Sequence, residues 1–129
     1  MTKPRREYYE NGQIWREEYV VKRQRHCLDG SAITWWYENG QKEYEEYAQG
    51  GNTHRIDGPA MIMWYENGQI ERETYVVNHQ YHRTDGPAIT CWDKDGNIIS
   101  QEFWLNDERV TAYDVFGETP EGFAWAMAN

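Results

Sequence analysis

The sequence predicts an all-β fold: an elongated antiparallel β-hairpin repeat sheet or solenoid of four 28-residue units with a short C-terminal helical cap. Three observations predict it. Asn-Gly or Asp-Gly recurs at Asn11-Gly12, Asn39-Gly40, Asn67-Gly68 and Asp95-Gly96, each pair 28 residues after the last. A second series, Asp29-Gly30, Asp57-Gly58 and Asp85-Gly86, keeps this period, as do His26, His54, His82 and Ala32, Ala60, Ala88. Two aromatic columns run in phase with both: Trp36, Trp64 and Trp92 with Tyr8 at their head, and Tyr19, Tyr47, Tyr75 and Phe103. A fixed period held without insertion is the mark of a repeat architecture, in which each unit buries its faces against its neighbours.

The elements follow in order. Residues 1–7 read as a basic tail carrying +2, residues 8–110 as the repeat domain and residues 111–129 as a cap. Within a unit, the short apolar run Ala60–Tyr65 reads as one strand and Gln69–Val77 as its return, joined at Asn67-Gly68. That dipeptide predicts a type I′ turn, because both residues tolerate positive φ. The polar stretch 78–84 then leads to Asp85-Gly86-Pro87, whose proline has no N–H for a ladder, and the next strand starts at Ala88. Thr119-Pro120-Glu121 reads as a helix start, with Phe123, Ala126 and Met127 on one apolar face closing the last hairpin.

Composition bears on the core. Leu, Ile, Val and Phe number only 19 of 129 residues, whereas Trp and Tyr number 17, so the core is expected to be built from the aromatic columns. Cys27 and Cys91 make no disulfide framework. A net charge of −9, no apolar leader segment and no long apolar run predict a cytoplasmic protein that coats neither nucleic acid nor membrane.

The segments Tyr9–Gln13, Tyr37–Gln41 and Tyr65–Gln69, each Tyr-Glu-Asn-Gly-Gln, resemble the MORN-repeat variant family, β-hairpin repeats of bacterial and phage proteins that include antitoxins. The longer unit, with His-Arg-x-Asp-Gly-Pro-Ala at 54–60 and 82–88, is similar to a repeat of phage and giant-virus proteins. The resemblance spans residues 8 to 110 and implies a hairpin-repeat fold with a binding role; it supplies no catalytic residue.

The pairs His26/Asp29, His54/Asp57 and His82/Asp85 suggest metal ligation, but equivalent residues in neighbouring hairpins stand about two strand spacings apart, roughly 10 Å, too far to share an ion. They read as turn-stabilising residues, and no metal or cofactor is expected. Strand alternation places Glu17, Glu43, Glu45, Glu71 and Glu73 on one side of three successive hairpins, a regular acidic face able to attract a basic protein or serving only to keep the strands soluble. Aromatics outside the repeating columns, Trp15, Trp35, Tyr44 and Tyr81, are expected to face solvent or a partner, although Trp35 fits a core place equally well, and Trp15, Trp35 and Tyr44 are taken as protein-binding candidates. No phosphate loop, nucleophile motif or unequal carboxylate pair supports an enzyme. Two functions remain. The first is a protein-binding module, a phage-encoded inhibitor that occludes a host defence protein's basic surface with a nucleic-acid-mimicking face. The second is a binder of a small ligand such as a nucleotide or metal, with a membrane-associated scaffold ranking third.

Overall fold

A computed structural model describes residues 3–117, 119, 120 and 124. The chain forms β1 (Arg5–Tyr8), β2 (Ile14–Glu18), β3 (Val20–Val21), β4 (Gln24–Arg25), β5 (Ile33–Trp36), β6 (Lys42–Glu46), β7 (Ala48–Gln49), β8 (Asn52–Thr53), β9 (Met61–Trp64), β10 (Ile70–Thr74), β11 (Val76–Val77), β12 (Gln80–Tyr81), β13 (Ile89–Trp92), β14 (Ile98–Leu105), β15 (Glu108–Val110) and a helix α1 (Ala112–Phe116). Nine strands build one antiparallel sheet in the order β1-β2-β5-β6-β9-β10-β13-β14-β15. The expected hairpin-repeat sheet is therefore what forms, and it is open at both ends. It begins at Arg5, so Arg5, Arg6 and Glu7, read from sequence as part of a tail, belong to its first strand.

Each Tyr-Glu-Asn-Gly-Gln segment makes the tip of a long hairpin. Only the glycine has positive φ, +85° to +89° at Gly12, Gly40, Gly68 and Gly96, and the preceding residue does not. The expected type I′ turn is thus corrected to a turn closed by a left-handed glycine, with Gly12 N–H donating to Tyr9 O. Asn11, Asn39 and Asn67 brace it by accepting, through Oδ1, the N–H two residues on. True pairs of positive-φ residues occur elsewhere, at Lys22/Arg23, Gly50/Gly51, Asn78/His79 and Asn106/Asp107. Three of these turns close small hairpins, β3-β4, β7-β8 and β11-β12, that leave the sheet where the sequence suggested only a polar stretch. In the fourth unit the strand runs straight on, and β14 turns directly into β15. Lysine and arginine carry a left-handed penalty of about 1 kcal/mol each that Asn or Gly largely avoids. Lys22→Asn with Arg23→Gly is expected to raise the melting temperature by several degrees; an unchanged or lower value in a thermal scan counts against this turn geometry.

Successive units are stitched by repeated bonds. Tyr9, Tyr37 and Tyr65 donate their hydroxyls to the carbonyls of Trp36, Trp64 and Trp92 at 2.6–2.8 Å. The small hairpins join one another through Gly51 N–H to Arg25 O, His79 N–H to Thr53 O and Asp107 N–H to Tyr81 O.

The core is not the aromatic stack expected from composition. Ala32, Ala60 and Ala88 are 0% exposed, and with Ile33, Ile89, Ala48, Val76 and Phe103 they form the buried apolar set. The cause is backbone proximity. At each alanine the chain re-enters the sheet, with Ala32 O accepting Tyr19 N–H and Ala32 N–H donating to Glu46 O; Ala60 repeats both bonds with Tyr47 and Thr74, and Ala88 O accepts Tyr75 N–H. Only a methyl fits such a crossing. Of the aromatic columns only Phe103 is buried; Tyr8 is exposed, and the remaining members lie half-buried over the sheet faces.

Helix α1 is capped by Thr111, whose side chain accepts Asp114 N–H while the Asp114 carboxylate accepts Thr111 N–H, a reciprocal capping box. It sets the Phe116 ring edge-on to Phe103 at 6.0 Å, covering the last hairpin. This helix was not expected from the sequence, whereas the helix start expected at Thr119-Pro120 is present, with Pro120 and Ala124 both helical. Thr119 Oγ1 donates back to Phe116 O, and Phe123, Ala126 and Met127 lie outside the described residues.

Candidate interaction surface

Register decides which side chains meet. One row across the sheet runs Arg6, Glu17, Thr34, Glu45, Ile62, Glu73, Thr90, Gln101; the row on the opposite face runs Glu7, Arg16, Trp35, Tyr44, Met63, Arg72, Cys91, Ser100. The long hairpins carry a bulge on the return strand, just after their turns: Trp36 pairs with Lys42 but Trp35 with Tyr44, so Glu43 is an extra residue, as are Trp15, Glu71 and Ile99. A bulge breaks the two-residue alternation. Glu43 accordingly lines a groove with Trp35, Tyr44, Glu46 and Met63, on the face opposite Glu45. The expectation that Glu17, Glu43, Glu45, Glu71 and Glu73 form one acidic face is corrected on this point.

Nor are the three glutamates of the first row free charges. Glu17 accepts from Arg6 Nε at 2.8 Å, and buried Glu45 lies 3.1 Å from Lys42 Nζ. Glu73 is half-buried, and its desolvation raises its pKa above the usual carboxylate value, with Arg83 opposing. A carboxylate raised in this way folds more readily when protonated, so its penalty is present above the folded pKa and disappears as pH falls through it. Glu73→Gln is expected to raise the melting temperature at pH 7, with the gain shrinking as pH approaches about 4, where the unfolded carboxylate also protonates; a gain independent of pH would contradict this origin.

The opposite face carries the distinctive chemistry. Trp35 and Tyr44 stand directly across β5 and β6 with ring centroids 5.0 Å apart, and Met63 follows on β9. These non-column residues line a groove of about 280 Å³ whose rim is Arg25, Glu43 and Glu46. Burial first, then Glu46, holds the Tyr44 hydroxyl protonated far above the ordinary tyrosine range, with Arg25 opposing. The rim is rigid. Arg25 Nε donates to Glu18 at 2.9 Å and its Nη1 to Glu46 at 3.2 Å, Arg16 also binds Glu18, and Thr53 donates to Glu46 at 2.6 Å. Trp35 Nε1, and Arg72 Nε further along the row, are buried with no acceptor among the described residues. Of the sequence candidates, the structure thus brings together Trp35, Tyr44 and Glu43; Trp15 occupies the bulge of β2, half-buried, and Glu71 that of β10. Sequence reading missed Arg25, whose column holds Arg, Thr, Tyr and Arg and so carries no repeat signal.

The histidines prove to be clamps between units. His26, His54 and His82 accept, through Nδ1, the N–H of Gly50, Asn78 and Asn106, the first residue of the next small turn, at 2.9–3.0 Å. They stabilise turns as expected, but the turn each one bonds belongs to the next small hairpin or strand pair rather than to its own unit. Among the described residues no group of three or more His, Cys, Asp or Glu is arranged to hold a metal, and no helix is long and apolar enough to cross a membrane.

A protein-family model described as "MORN repeat variant" matches residues 1–22, 32–49 and 60–78. Comparison with curated proteins and with solved structures gives no match.

Proposed function

The chain belongs to the MORN-repeat variant family, and from that premise we propose that it is a non-enzymatic repeat module that binds a protein partner through the Trp35–Tyr44–Met63 row. The observation that carries this reading is the row itself. In a family built on repetition, these three side chains escape the repeating aromatic columns, yet register aligns them on one face above a charged rim. Aromatic anchors ringed by polar groups are what protein interfaces concentrate. Repeats supply the rigid scaffold that such a surface needs.

The partner in this reading is a protein with a basic surface, which the net charge of −9 and the placement of Glu43 at the groove support. The module acts by occlusion, as a phage-encoded inhibitor of a host protein acts in the host cytoplasm. A phosphate-like array of glutamates is not part of it, because Glu17 and Glu45 are held in ion pairs and Glu43 leaves the row. The test is affinity capture from bacterial lysate by the intact chain, by Trp35→Thr/Tyr44→Thr and by Glu43→Lys, each eluted at low and high salt. A protein retained by the intact chain, lost with the aromatic pair and weakened by Glu43→Lys supports the reading. Equal capture by the aromatic variant overturns it.

A further inference from the structure

Units two and three hold an arginine in the same way. Arg55 lies 3.9 Å over the Tyr47 ring, donates Nε to Asp57 Oδ1 and Nη1 to the Pro59 carbonyl. Arg83 lies 4.0 Å over Tyr75 and donates to Asp85 and the Pro87 carbonyl. Both guanidiniums press on the following glycine so closely that a Cβ on Gly58 or Gly86 would meet the arginine Cζ at 3.0 or 2.8 Å.

Unit one builds the same frame. Cys27 N–H donates to Ala48 O as Arg55 N–H does to Val76 O and Arg83 N–H to Trp104 O. Tyr19 N–H donates to Ala32 O as Tyr47 and Tyr75 do to Ala60 and Ala88, all at 2.7 Å. The ring, aspartate, glycine and carbonyl therefore recur as Tyr19, Asp29, Gly30 and Ser31, but Cys27 replaces the arginine. A Cβ on Gly30 would meet nothing within 4 Å. Among the described residues no cation stands over the Tyr19 ring, and no ion pair reaches Asp29. The groove lined by Tyr19, Cys27, Asp29, Gly30 and Ser31 is open to solvent, with Lys3 and Arg6 at its edge and Arg6 satisfied by Glu17.

We infer that this slot receives an arginine side chain from the protein partner, held as the chain holds its own Arg55 and Arg83: stacked on Tyr19, paired with Asp29 and bonded to the Ser31 carbonyl. Guanidinium is favoured over ammonium because the site combines a ring face with two acceptors set for a planar fork. The slot opens beside the β1 edge, on the face opposite Trp35 and Tyr44, so a partner clasping that edge engages both. The inference rests on the protein-partner reading only for the source of the arginine.

The slot is tested with arginine amide and lysine amide as probes, followed by amide and aromatic NMR shifts of the full chain. Arginine amide is expected to shift Tyr19, Cys27 and Gly30, with half-saturation on the order of tens of millimolar for one exposed cation–π contact and one ion pair. Gly58 and Gly86 serve as controls that do not respond, and lysine amide gives at most half the shift. Cys27→Arg, which supplies the guanidinium from within, and Gly30→Ala, which narrows the slot without altering charge, each abolish the response. Uniform shifts across all three glycines, equal response to lysine amide, or a response that survives Gly30→Ala overturns the inference. In lysate capture, a partner that persists with Cys27→Arg but is lost with Trp35→Thr/Tyr44→Thr overturns the slot's role and leaves the partner reading standing. Loss with Cys27→Arg alone does the reverse.

Discussion

Replacing Arg25 with methionine is expected to destabilise the fold by about 3 kcal/mol, because it removes the cation between two buried carboxylates. Glu18 and Glu46 are 7% and 8% exposed, and Arg25 is the cation that bridges them between the first and second units. Without it Glu18 keeps Arg16, but among the described residues Glu46 keeps only the neutral donors Thr53 and Tyr44. A buried carboxylate without a cation is then left in place, and the penalty is that of stranding a charge rather than of losing a surface pair. The Arg25 side chain is itself partly exposed, which keeps the figure at the lower end of the range for broken buried pairs. Urea denaturation reads this as a lower midpoint with an unchanged slope. Adding Glu46→Gln to Arg25→Met is expected to recover more than half of the loss, because the stranded charge is gone. A midpoint within error of the unaltered chain would show that water, not Arg25, satisfies these carboxylates.

Ile33→Ala is expected to have a comparable effect, about 3 kcal/mol. Ile33 is 1% exposed and sits where β2, β5 and β6 meet, paired with Glu18 on one side and Glu46 on the other. Its side chain lines the same groove as Arg25 and Glu46, so truncation there leaves a cavity next to the Arg25 bridge and lets the two losses couple. Ile56→Ala is the matched control: the same side chain, 82% exposed at a turn tip, is expected to change stability by no more than about 0.5 kcal/mol. Equal effects at the two positions would mean that the alanine–isoleucine layer is not the core.

Much of the fold could be read from spacing alone. A left-handed glycine every 28 residues sets each long hairpin, and consecutive hairpins have no partner nearer than each other, so strand order follows. The second, smaller hairpin was hidden because its turns are Lys22-Arg23, Gly50-Gly51 and Asn78-His79, which share a backbone conformation and almost no chemistry. Trp35 and Tyr44 were legible as departures from the repeat. Arg25 was not, because it acts across a unit boundary that no local pattern marks.

What the sequence by itself determined is the period, the hairpins, the place of their tips and the order of strands, all consequences of local backbone preference repeated without interruption. Tertiary structure alone decided three things. Bulges at Trp15, Glu43, Glu71 and Ile99 reset which face each side chain takes, since one extra residue reverses an alternation of two. Close crossing of the chain over itself gave the interior to alanine and left most of the aromatic rings half in water. Contacts between units then gave the histidines, Arg25, Arg55 and Arg83 their partners, and showed that unit one repeats the frame of its neighbours with a cysteine where they place a guanidinium.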